Sequence, residues 1–185
     1  SIVEECTFNK LNLGTMPMFD IEYIFLNIRA KSVGEISNLR LLCPDDNKTY
    51  TAVEVNLSEV LVQVEKDHTN KIELTDEMGI YMKYPTIDSF AKTGITEVTA
   101  ANMLDVITTC VAQIYDKKGE EVFDAKDQTK EELIEFIEQL NTKQFAELQK
   151  FFDTMPKLKH VVKVENPETK VKSDILLQGL SDFFA

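Results

Sequence analysis

The stretch that most restricts the fold is Met16 to Glu35, Met-Pro-Met-Phe-Asp-Ile-Glu-Tyr-Ile-Phe-Leu-Asn-Ile-Arg-Ala-Lys-Ser-Val-Gly-Glu. It reads as one helix with both ends marked. Pro17 suits a first helical position, where its missing N–H loses nothing. Asp20 and Glu22 fall near the positive end of the helix dipole, Arg29 and Lys31 near the negative end. Gly34 can adopt the left-handed backbone that stops a helix. Phe19, Tyr23, Leu26 and Ala30 form one apolar row, and Ile21, Ile24, Phe25 and Ile28 widen it over most of the circumference. Such a helix is expected to be buried on several sides, with the other elements packed around it.

Before this helix, Ile2 to Cys6 reads as the end of a helix whose start lies upstream of Ser1, so a preceding segment is expected. After Gly34 the apolar period changes to alternation. Ile36, Leu39, Leu41 and Cys43 suit a strand, Pro44-Asp45-Asp46-Asn47 a turn, and Tyr50 to Leu57 a returning strand. Leu61–Val64 and Lys71–Leu74 read as short strands about the polar turn Asp67–Asn70. Gly79 to Pro85 is a further extended run, closed by the proline.

The second half reads as mainly helical. Thr99 is placed as the cap of a helix from Ala100 to about Tyr115, with Met103, Ile107, Cys110, Val111 and Ile114 on its apolar face. Asp116 to Glu121 reads as a turn. Thr129-Lys130-Glu131-Glu132 has the form of a capping box, in which threonine and glutamate satisfy each other's backbone N–H groups. Thr142 is placed as the cap of a further helix that ends before Pro156. His160–Val164, the turn Asn166–Thr169 and Val171–Leu177 make a second hairpin. It echoes the first at a fixed offset: Pro44 matches Pro167, Leu57 matches Leu180, Ser58 matches Ser181 and Glu59 matches Asp182. One strand–turn–strand unit is therefore expected twice. The fold class is α+β, a helical core with two β-hairpins or small antiparallel sheets. Residues 1–92 are taken as the first part and 93–185 as the second, in one compact unit or two small lobes.

Charge and cysteine usage narrow the function. The chain has 20 basic and 32 acidic residues, a net charge of −12. That opposes a grip on nucleic acid backbone and attraction to an anionic membrane, and favours partners with basic patches. Cys6, Cys43 and Cys110 are odd in number and show no CxxC spacing, which fits reduced thiols. Cys43 before a turn lacks the paired ligands of a zinc ribbon, and Asn166 stands at the matching point of the second hairpin. Asp45-Asp46-Asn47 lacks the glycine and closing glutamate of a calcium loop. The only histidines, His68 and His160, have no nucleophile beside them in sequence. No phosphate-binding glycine loop, nucleophile elbow or HExxH motif occurs. No catalytic residue, metal ligand or cofactor is assigned.

The stretch from Met16 to Glu35 also resembles a signature of the baseplate hub proteins of T4-like bacteriophages, a hub subunit or hub-assembly family. His68-Thr69-Asn70-Lys71-Ile72-Glu73-Leu74, Met82-Lys83-Tyr84-Pro85 and Gly179-Leu180-Ser181-Asp182-Phe183-Phe184 support it. The resemblance spans most of the chain and brings no catalytic motif. It implies a non-enzymatic tail protein of the virion baseplate, present in the host cytoplasm during assembly, that binds other tail proteins or a further copy of itself. Phe19, Tyr23, Phe151, Phe152, Phe183 and Phe184 are the candidate partner-binding residues, since they supply more apolar surface than a small core needs. The competing readings are a small hydrolase or metal-dependent enzyme, which requires a histidine or cysteine meeting carboxylates in a cleft, and an acidic nucleic-acid mimic, which requires carboxylates on one face.

Overall fold

The computed structural model describes residues 1–94 and 102–184. It is α+β, as expected, with helices and three small antiparallel sheets. The chain forms two compact units that interleave along the sequence. Unit 1 comprises Ser1–Leu13, Phe19–Gln63 and Pro156–Ala185; unit 2 comprises Gly14–Met18 and Val64–Met155. The division into residues 1–92 and 93–185 therefore does not follow the compact units. The last two strands return to the first unit because their apolar faces complete its core.

Unit 1 opens with α1 (Ile2–Cys6), capped by Ser1 and Glu4 in a reciprocal box. The long helix α2 (Met18–Val33) starts one residue later than expected. Pro17 lies outside it, in an isolated antiparallel bridge with Thr86, and the Met18 N–H donates to the Pro85 carbonyl at 3.2 Å. Gly34 follows the helix at φ 137°, a value a side chain rarely tolerates. The helix is not enclosed. Leu26 and Ala30 are fully buried and Tyr23 packs beside them, while Phe19, Ile21, Ile24, Phe25 and Ile28 are only half-buried. Asn27, Arg29, Lys31 and Ser32 break the apolar circumference, so one face alone can enter a core.

That core lies between two sheets. The hairpin β1 (Ile36–Leu42) and β2 (Tyr50–Asn56) contributes Leu39 and Val55. The strands β3 (Leu61–Gln63), β8 (Lys157–Glu165) and β9 (Lys172–Gln178) contribute Leu158, Val162, Val164 and Leu177. β3 pairs with β8, not with the strand that follows it in sequence. Val62 opposes Leu158 and joins the core, a long-range preference that a local pattern does not reveal.

The two hairpins are the same unit built twice. In the first, the Cys43 N–H donates to Thr49 O at 2.8 Å and the Asn47 N–H to Cys43 O at 3.0 Å, with Asn47 at φ 51°. In the second, the Asn166 N–H donates to Val171 O at 2.9 Å and the Lys170 N–H to Asn166 O at 2.9 Å, with Lys170 at φ 63°. The second loop closes one residue sooner, so Leu39 opposes Val53 whereas its counterpart Val162 opposes Ile175. Gly179, at φ 75°, is the extra residue that restores the offset. Each hairpin then ends in a 3-10 turn, Leu57–Glu59 or Leu180–Phe183, whose apolar end (Val60 or Phe183) is buried.

The turns of the two hairpins meet at Asn166, which is 0% exposed. Its Oδ1 accepts from the Glu168 and Thr169 N–H groups at 2.9 and 3.3 Å, which fixes the amide orientation. Its Nδ2 then donates toward both Asp45 carboxylate oxygens and Asp46 Oδ2, each at 3.1 Å. Thr169 Oγ1 donates to Asp45 Oδ2 at 2.6 Å. These donors hold the Asp45 carboxyl below its ordinary range, Thr169 and Asn166 leading. Thr49 and the backbone of Thr49 and Lys48 do the same for Asp46.

Unit 2 is built on β4 (Lys71–Glu73), β5 (Met78–Met82), β6 (Val111–Asp116) and β7 (Glu121–Asp124), paired in that order. Thr86 and Ser89 cap α3 (Ile87–Thr93), which Gly94 closes in the left-handed region. The proposed cap Thr99 and the start at Ala100 lie outside the described residues. Helix α4 (Met103–Cys110) stops at Cys110, and Val111 passes straight into β6. The expected helix to about Tyr115 thus gives way to strand from Val111 onward. Val111, Ile114 and Tyr115 are good strand formers, and β5 and β7 supply ladders on both sides. Helix α5 (Lys130–Glu138) begins at the expected capping box, with Glu132 N–H to Thr129 Oγ1 at 3.2 Å and Thr129 N–H to Glu132 Oε2 at 2.8 Å. Helix α6 (Thr142–Thr154) is capped by Asn141 with Gln144, so Thr142 is its first residue and not its cap. Ile80, Ile107, Cys110, Ile137, Leu148 and Phe151 fill this second core.

Candidate interaction surfaces

The six aromatic residues singled out by sequence divide by burial. Phe151 and Phe183 are 1% and 0% exposed. Phe151 anchors the core of unit 2 between the rings of His68, Tyr84 and Phe152, with centroid separations of 5.3, 5.7 and 5.2 Å. Phe183 closes the core of unit 1, and its carbonyl accepts from Ser37 Oγ at 2.7 Å. Both are packed inside their cores. Phe19, Tyr23 and Phe152 are half-buried, and Phe184 is 40% exposed, edge-on to Phe25 at 6.1 Å. These four keep apolar area at the surface. On the same helix Glu22 is half-buried, and desolvation raises its carboxyl despite a backbone hydrogen bond from Leu180.

A second apolar surface was not foreseen. Val161 and Leu176 face each other across β8 and β9, and Leu61 lies on the same side of β3. They are 53%, 51% and 54% exposed, and they point away from the core that Val162 and Leu177 enter. The alternation of the strands carried this signal, since one parity is buried and the other is not.

His68 is engaged within the core of unit 2. His68 Nδ1 lies 2.9 Å from Thr154 Oγ1 and Nε2 lies 2.9 Å from Tyr84 Oη. Thr154 spends its own hydrogen on the Lys150 carbonyl, at 2.7 Å. It must therefore accept from His68 Nδ1–H, which leaves Nε2 to accept from Tyr84. Burial lowers the His68 pKa, in keeping with a neutral ring. A recess of about 300 Å³ beside it is lined by Asp67, Lys71, Glu73 and Lys150 among others. Those charges pair with each other, Lys150 with Asp67 at 2.9 Å and Lys71 with Glu73 at 3.5 Å. His160 lies in β8, opposite Leu177. Cys6 is exposed, while Cys43 and Cys110 are buried, and burial pushes the Cys110 thiol up to about 11. Among the described residues no group of three or more His, Cys, Asp or Glu side chains is placed to hold a metal ion, and no helix is long and apolar enough to cross a membrane.

These features define a small α+β protein in two units, whose distinctive exposed groups are apolar side chains on a helix flank and on a sheet face. The chain belongs to the T4 bacteriophage base plate protein family, whose model matches residues 1–185, the whole chain. It therefore has a structural role in the phage tail baseplate. No curated protein and no solved structure matches it.

Proposed function

We propose that this baseplate protein is a hub component, or a factor that helps the hub assemble, and that it acts by protein–protein contact without catalysing a reaction. The half-buried apolar flank of α2 carries this reading. Phe19, Tyr23 and the Phe25–Phe184 pair keep apolar area at the surface of unit 1, and Phe152 does so in unit 2. Burying such area against a partner contributes about 25 cal/mol per Å². The partners are other baseplate and tail proteins, or a further copy of the chain. A net charge of −12 disfavours nucleic acid as a partner. The chain would act in the host cytoplasm during assembly and in the finished baseplate if it is a subunit.

Mass spectrometry of purified virions and of hub assembly intermediates from infected cells tests this. A subunit appears in both at a fixed ratio to other hub proteins. An assembly factor appears in the intermediates and is missing from virions. Absence from both defeats either version.

A further inference from the structure

We infer that the free edge of β1 takes an extended strand from a neighbouring baseplate protein, antiparallel to β1 and in the register that β3 holds on β8. The inference rests on the proposed role in the hub and names an edge and the kind of segment it accepts. The duplicated hairpin supplies the comparison. At the offset that relates the copies, β8 corresponds to β1, and Lys157, Leu158 and Lys159 to Gly34, Glu35 and Ile36. β8 carries β9 on one edge and β3 on the other, with Leu61, Val62 and Gln63 opposite Lys159, Leu158 and Lys157. β1 carries β2 on one edge and, among the described residues, no strand on the other. The outer edges of β2 and β9 have no strand partner in either copy, so the comparison singles out β1. Leu61 begins β3, whereas its counterpart Phe184 turns back, its N–H on Ser181 O at 3.2 Å and its ring edge-on to Phe25.

The backbone of β1 is set for such a partner. The Leu57 N–H donates to Glu35 O at 2.7 Å and the Cys43 N–H to Thr49 O at 2.8 Å, so the odd-numbered residues bond toward β2. The N–H and C=O of one residue in an antiparallel strand leave on the same side, so those of Ile36 and Asn38 point to the free edge. Among the described residues they have no hydrogen-bond partner there. On β8 the Gly179 N–H donates to Leu158 O at 3.0 Å, and the same alternation turns Lys157 and Lys159 toward β3. The edge is clear: Ile36 is 49% exposed, Asn38 is exposed, and a Cβ at Gly34 would meet nothing within 4 Å. Its register with β2 runs unbroken from Ile36–Asn56 to Leu42–Tyr50, without the bulge or proline that commonly blunts a free edge. Recognition runs through the ladder, since Glu35 is already paired with Lys31 at 2.6 Å. The segment that fits is free of proline and sets an apolar residue against Ile36, the place Leu61 holds opposite Lys159. Two copies pairing edge to edge would bring together two net charges of −12, so a different protein is the better fit.

Hydrogen exchange resolved to single amides tests the inference, on the purified chain and on hub intermediates from infected cells. In the free chain the amides of Ser37 and Leu39 exchange slowly and those of Ile36 and Asn38 fast. In the intermediates the Ile36 and Asn38 amides should slow about tenfold or more. Ile36→Pro removes an N–H that bonds nothing inside the fold, at the first residue of a strand, where proline is tolerated. Its circular dichroism should be unchanged and its recovery with hub intermediates should fall about tenfold. The exchange measurement uses the natural chain and does not depend on how that variant folds. Incorporation of the chain into intermediates with the Ile36 and Asn38 amides exchanging as in the free chain overturns the inference alone. So does undiminished recovery of a folded Ile36→Pro, or protection of the same amides that grows with concentration in the purified chain, the mark of a second copy. Absence of the chain from every hub intermediate and from virions overturns the functional reading, and the inference with it.

Discussion

Asn166 is the residue whose replacement tests the reading of unit 1 most sharply. Asn166→Asp changes one atom group and little volume. The Oδ1 that accepts from the Glu168 and Thr169 N–H groups is retained. The Nδ2 that donates to Asp45 and Asp46 at 3.1 Å becomes an oxygen facing carboxylate oxygens. A fully buried carboxylate with one oxygen set against other carboxylates and no donor for it costs about 3–5 kcal/mol. Asn166→Ala, which only removes hydrogen bonds, should cost about 1–2 kcal/mol. The larger penalty therefore belongs to the more conservative substitution. The pH dependence separates the two causes. In the natural chain Asp45 and Asp46 have lowered folded pKa values, so their stabilisation is present above the unfolded value of 3.8 and is lost only as pH falls through the folded values. It stays level from about pH 7 to about pH 5. The new carboxyl of Asn166→Asp has a raised folded pKa, so its penalty is greatest at neutral pH and shrinks as pH falls. The variant should gain stability relative to the natural chain over this range. The chain has no tryptophan, so urea unfolding is followed by circular dichroism. Hydrogen exchange in peptides covering 36–56 and 158–178 reports unit 1 by itself, because two units need not unfold together. Equal stability of Asn166→Asp and the natural chain at neutral pH, or parallel pH curves, would refute the turn lock.

Four further outcomes follow from the geometry. Gly79→Ala should cost about 1–3 kcal/mol in thermal unfolding, because an added Cβ would collide with the Ile72 carbonyl and the Tyr115 ring and hydroxyl. Tyr115→Phe should be neutral or stabilising by about 1 kcal/mol, since that buried hydroxyl has no hydrogen-bond partner; a clear loss on Tyr115→Phe counts against the geometry. Thiol titration should modify Cys6 at once, and Cys43 and Cys110 only on unfolding, Cys110 being both buried and raised to about 11; three equally fast thiols would contradict the cores. His68 has a folded pKa below its ordinary 6.5, so its contribution is present above that value and is lost as pH falls toward the folded pKa. Nitrogen NMR should find the ring neutral at pH 7 with the proton on Nδ1, and a charged ring there would show the Thr154–Tyr84 clamp is not formed.

What sequence reveals here is what neighbours along the chain decide. The extent of α2, the two hairpin turns and the Thr129–Glu132 box were legible because each depends on a few adjacent residues. The partner of β3 was not, because Leu158 lies far along the chain and only tertiary contact selects it over Lys71–Glu73. The helix-to-strand change at Val111 was hidden for a related reason. Met103, Ile107 and Cys110 fit a helical face that Val111 and Ile114 continue by spacing alone, and only the ladders from β5 and β7 decide against it.

The candidate site shows the same division. Adjacent residues on a helix point about 100° apart, so Phe151 enters the core fully while Phe152 packs at its edge. Composition flagged the pair but could not say which member was spent on packing. The same holds for Phe183 and Phe184. The duplicated hairpin offers a sharper criterion. Inward positions repeat because both copies must fill one core: Leu39 with Val162, Val55 with Leu177. Outward positions carry no such demand, and there the copies diverge, Asn38–Glu54 in one and Val161–Leu176 in the other. Where one fold is built twice in a chain, agreement marks what packing requires. A departure between the copies marks what packing leaves unexplained.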